Sequence, residues 1–144
     1  MLRLGAVILT IWGGVNFALA SLLLVLMTIL GKPAPMLFIV FEEPEIPALE
    51  PKVVAATNAL AILFNACAAA FSLLVLVVVW SALVKGEKWA FWALLLSIGL
   101  VQAFGFVADS AIGNKTVYVN LVLTALFLAG IGLAGWAMFT RATV

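Results

Sequence analysis

The charged residues of this chain avoid four long stretches. Residues 5–31, 53–84, 89–108 and 117–140 contain no Asp, Glu, Lys, Arg or His, so the seven basic and six acidic residues lie between or beyond them. A helix needs roughly 20 apolar residues to cross the hydrocarbon core of a bilayer, and each stretch supplies them. Backbone groups in hydrocarbon must be satisfied within the protein, which leaves helices or closed barrels. A membrane strand alternates apolar and polar side chains over about 10 positions, and none of these stretches alternates. The mean hydropathy of +1.35 and the 9% charged residues agree, since soluble domains carry about a quarter. The expectation is an all-α, polytopic membrane protein, one integral domain over residues 1–144 with four transmembrane helices.

Arg3, the apolar run after it and Ala18-Leu19-Ala20 resemble a cleavable signal. The run continues to Ile29 without a polar break, so the segment is read as the first span. The second and third spans are joined by Lys85-Gly86-Glu87-Lys88, and the third and fourth by Asp109 to Thr116, with Gly113-Asn114 as a turn signal. Connections this short make neighbouring helices antiparallel, which predicts an up-down-up-down bundle. The first connection, residues 32–52, is longer. It holds the apolar run Met36 to Phe41, then an acidic, proline-rich segment with Glu42, Glu43, Glu45 and Glu50. It reads as an apolar patch at the membrane surface followed by a solvated connector. Its sharper alternative is a lid or docking segment using Phe38, Phe41, Glu42, Glu43 and Glu45. Arg3, Lys85, Lys88 and Arg141 on one side outnumber Lys32, Lys52 and Lys115 on the other. The positive-inside rule then places both termini in the cytoplasm and loop 32–52 outside. Trp80, Trp89, Trp92 and Trp136 fall near the span ends on the side of the termini, at interfacial depth.

The spans contain few polar groups. Asn58, Asn65 and Ser72 recur every seven residues in the second span, with Ala61 and Ala68 between them. Gln102, Gly105 and Asp109 share a face of the third, and Asn120 and Thr124 lie one turn apart in the fourth. Amides are costly in lipid, so they should point inward. They either form helix–helix seams or line a small outward-facing vestibule. On the second reading Asn58, Asn65, Gln102, Asp109, Asn120 and Thr124 are the candidate ligand-binding residues. Lys115 is the natural local counter-ion for Asp109. Small residues mark close-packing faces: Gly13, Gly14, Asn16, Ala18, Ala20 and Ser21 in the first span; Ala125, Ala129 and Gly132, and separately Gly130 and Ala134, in the fourth.

Several chemistries are excluded. The chain has no histidine and one cysteine, Cys67. Histidine-ligated haem, most zinc sites, histidine acid–base catalysis and dithiol exchange are therefore ruled out. No carboxylate sits at mid-span to couple a proton to transport, and no phosphate-cradling loop appears. A net charge of +1 argues against a nucleic-acid partner. No catalytic residue, metal ligand or cofactor is expected, and the bilayer is the expected partner. The leading expectation is a non-catalytic accessory or interaction subunit, in a homo-oligomer or larger complex through the first and fourth spans. The alternative is binding or transport of a neutral or lipid-like small molecule. An enzyme using Asp109 or the loop glutamates, with a hard cation held by their oxygens, ranks last.

Overall fold

The computed structural model describes residues 1–41, 45–46 and 49–140. Glu42 and Glu43, singled out above, lie outside the described residues. Described secondary structure is helical: α1 (Leu2–Thr28), α2 (Pro35–Val40), α3 (Pro51–Ser81), α4 (Lys88–Ala111) and α5 (Val117–Phe139), with a 3-10 turn at Leu83–Lys85. Four helices are long and apolar enough to cross a membrane: α1, α3 with its 3-10 extension, α4 and α5. The chain therefore has the character of a multi-pass membrane protein, with its outward side chains mostly apolar.

The helix ends follow local chemistry. Pro51 opens α3, where its missing N–H and fixed φ cost nothing. Gly86 ends the 3-10 turn at φ 83°, and Glu87, in extended conformation, precedes α4. Its acidic side chain suits the positive end of that helix. Gly113 (φ 78°) and Asn114 (φ 59°) are both left-handed, and Asn is the ordinary residue best suited to this region. Within the apolar run of the first connection, Pro35 starts a six-residue helix, α2, with Leu37 buried and Met36, Phe38 and Val40 exposed.

The chain forms two compact units, to which α1 and α3 both contribute: residues 1–15 with 72–144, and residues 16–71. In the first, α4 and α5 form an antiparallel hairpin. A Cβ built on Gly135 would lie 2.9 Å from the Phe91 ring, and one on Gly99 would lie 4.0 Å from Phe127. Leu94, Ile98, Phe127 and Ile131 are buried in the same unit. The start of α1 approaches α5 even more closely. A Cβ on Gly5 would fall 2.6 Å from the Gly130 carbonyl oxygen and 2.8 Å from the Ala134 nitrogen. One on Gly130 would fall 2.8 Å from Leu9 Cγ. The Gly130/Ala134 face thus packs against α1 of the same chain. Ala125, Ala129 and Gly132 are exposed. Trp12 is a core residue, whereas Trp80, Trp89, Trp92 and Trp136 are exposed.

In the second unit, Ala20, Met27, Ala34, Leu37 and Ala69 are buried, together with Asn65. Asn58 ties the connection to α3, its Oδ1 accepting the Ala34 N–H at 2.8 Å. That bond fixes the residue from which α2 begins.

Candidate functional site

The polar residues of α4 and α5 form a ladder of three rungs. Gln102, buried in α4, donates from Nε2 to Thr124 Oγ1 at 3.0 Å. One turn further along α4, the Gly105 carbonyl accepts Asn120 Nδ2 over a long 3.4 Å. At the end of α4, Asp109 Oδ1 accepts the Thr116 N–H at 2.8 Å and the Thr116 hydroxyl at 2.7 Å. Spacings of three and four residues on each helix put these groups on single faces. The antiparallel pairing brings the faces together. A Cβ at Gly105 would stand in ordinary contact with Asn120 Oδ1, 3.6 Å away, so the middle rung rests on the carbonyl of residue 105 and not on the absence of its side chain.

The lowest rung closes the loop between the helices. Thr116 is the N-cap of α5, and its N–H is a donor that a helix start leaves without an intrahelical partner. Asp109 supplies the acceptor and places its negative charge at the positive end of α5. The Asp109 carbonyl also accepts the N–H of Asn114 at 2.8 Å. Lys115, expected as the counter-ion, is exposed and makes no ion pair with Asp109 among the described residues. Its long stem lets the ammonium remain in water. Asp109 is only 2% exposed, and its Oδ2 is buried without a hydrogen-bond partner among the described residues.

The two amides of α3 belong to the second unit. Asn58 engages Ala34 as above, and buried Asn65 donates from Nδ2 to the Ala61 carbonyl of its own helix at 2.8 Å. Each of the six candidate residues thus has a hydrogen-bond partner within its own unit. In the first connection, Phe38 is exposed, Phe41 is half-buried and Glu45 is exposed. Among the described residues, no three His, Cys, Asp or Glu side chains cluster as a metal site.

The sequence reading missed Thr116 and Gly5. Thr116 was overshadowed by its charged neighbour. Gly5 stands at the very start of the first apolar stretch, ahead of the small face drawn there, and of the glycines in its unit it has the nearest neighbouring backbone. A glycine facing a small-x-x-x-small pair is the signal that could have found it.

No family model matches the chain, and neither the curated proteins nor the solved structures yield a match.

Proposed function

We propose that this protein is a non-catalytic integral membrane subunit that acts by packing against other membrane helices. The observation supporting this reading is the internal engagement of its polar groups: the Gln102–Thr124, Asn120–Gly105 and Asp109–Thr116 rungs and the Asn58–Ala34 bond. A site for a neutral ligand needs a few convergent polar groups turned toward a cavity, and here those groups are turned toward one another. The outward surface left for function is apolar, with the small-residue stripe Ala125, Ala129 and Gly132 exposed on α5.

In this reading the four spans run up-down-up-down, with both termini cytoplasmic and loop 32–52 outside. The α5 stripe receives a helix of a second copy or of a larger complex. Close approach of backbones at small residues drives association in lipid, where apolar burial alone gives no advantage. Native mass spectrometry from nanodiscs tests it: the chain is expected as an oligomer or with a co-extracted partner, and Ala129→Leu with Gly132→Leu is expected to release it. A lone monomer under the gentlest extraction overturns the proposal.

A further inference from the structure

Arg3 is distant in sequence from Lys85 and Lys88, yet the fold brings the three to one end of the first unit. Gly5 faces Gly130 and Ala134 while Leu9 faces Gly130, so α1 runs antiparallel to α5 and Arg3 stands level with the last turns of α5. Those turns end in Phe139, whose ring centre lies 5.8 Å from Lys88 Nζ. Lys85 closes the 3-10 turn just before α4. All three cations are exposed, and none forms an ion pair among the described residues. Glu87 is the one acidic residue described at this end. Trp89, Trp92 and Trp136 are exposed in the same layer, and tryptophan favours the depth of lipid headgroups.

We propose that this end recognises the headgroup of an anionic phospholipid. The unbalanced charge is positive, so its complement is a net anion. A zwitterionic headgroup carries its own ammonium and returns no net charge. The occupant is a lipid and not a soluble phosphate, because the cation leads into an apolar track. Lys88, Trp92, Leu96 and Leu100 recur every four residues down one side of α4, and all are exposed. That side of the helix offers an ammonium to the headgroup and apolar side chains to the acyl chain beneath it. Aromatic rings steady the ammonium. Phe139 stands edge-on to Phe91 at 5.3 Å and beside Trp92 at 6.3 Å, and a cation over a ring face is attracted by the ring quadrupole. The far end of the α4–α5 hairpin lacks this combination: it exposes Lys115 and Tyr118, and no tryptophan among the described residues. The surface lies at helix ends and does not depend on the packing role proposed above.

The test places the full chain in mixed bilayers of phosphatidylcholine and phosphatidylglycerol, with bromine on the chains of one lipid at a time to quench tryptophan. The ratio of the two quenching curves gives the lipid preference at the protein surface. Phosphatidylglycerol is expected to be preferred by about fivefold for each cation it engages, the equivalent of about 1 kcal/mol per Lys or Arg near the surface. Arg3→Gln combined with Lys88→Gln should cut the preference by about fivefold or more, while Lys115→Gln, at the far end, should leave it unchanged. Salt screens exposed charges, with a Debye length of about 3 Å at 1 M, so the preference of the unaltered chain should also shrink in concentrated NaCl. That measurement needs no variant to fold. Equal quenching by the two lipids overturns the proposal, as does a preference indifferent to salt. A preference that survives the double substitution, or that Lys115→Gln removes, overturns it too by placing recognition elsewhere on the chain.

Discussion

At the scale of single residues, the decisive quantity is how closely a neighbour stands. Gly5 and Gly14 lie in the same helix and are the same residue type, yet they differ in surroundings. A Cβ at Gly5 would meet Gly130 and Ala134 backbone atoms inside 3 Å, while one at Gly14 would meet nothing within 4 Å. Backbone cannot swing aside as a side chain can, so Gly5→Ala is expected to destabilise by about 1–3 kcal/mol through overpacking. Gly14→Ala should stay within about 0.5 kcal/mol or be mildly stabilising. Unfolding by steric trapping in bicelles measures both, and equal effects would mean that α1 does not approach α5 at Gly5. The Gln102–Thr124 bond makes a second comparison at this scale. Interhelical hydrogen bonds in membranes are modest, averaging about 0.6 kcal/mol and reaching about 1.7. A double-mutant cycle with Gln102→Leu and Thr124→Val should return a favourable coupling in that range. A coupling indistinguishable from zero would remove the rung.

At the scale of elements, the α4–α5 hairpin was the most legible part of the chain. Gly113-Asn114 announced its turn, and the polar residues at Gln102, Gly105 and Asp109 and at Asn120 and Thr124 were spaced to face one another. Polar atoms in an apolar span leave little choice of direction, which is why the inward faces could be read without coordinates. The partner of Asp109 could not be read in this way. Charge pointed to Lys115, but a lysine beside the membrane can stay hydrated, whereas the free N–H of Thr116 at the start of α5 cannot move away. Glu42 and Glu43 fall outside the described residues, and Glu45 and Glu50 of the same acidic part are exposed. In the apolar part, α2 is anchored at its first turn through the Ala34 N–H on Asn58 Oδ1. Asn58→Leu keeps a side chain of similar size and removes the acceptor. Hydrogen exchange at Ala34 and through Pro35–Val40 should then quicken while α4 and α5 keep their protection. Unchanged exchange at Ala34 would show that apolar docking of Leu37 holds α2 by itself.

At the scale of the whole molecule, the open matter is which way the chain sits in its membrane, and α4 provides the cleanest test. It is flanked by Glu87 on one side and by the exposed Lys115 on the other. The 24 residues of α4 extend about 36 Å at 1.5 Å per residue, enough to cover a hydrocarbon core of about 30 Å. Near the Glu87 end, Lys88 lies 5.8 Å from the centre of the Phe139 ring, and Trp89 and Trp92 are exposed beside it. Aromatic rings and cations in company suit the headgroup layer. Basic residues are four to three in favour of that side as the cytoplasmic one, and accessibility of single cysteines reads the orientation directly. Cys67, the chain's single cysteine, is first replaced by alanine. Glu87→Cys and Lys115→Cys are then placed one at a time and exposed to a membrane-impermeant maleimide on intact cells. Lys115→Cys should label at once, and Glu87→Cys only after the membrane is opened. The reverse pattern would invert the orientation with the fold intact. Labelling of both from the same side would mean that α4 does not cross the membrane, and the up-down arrangement would fall with it.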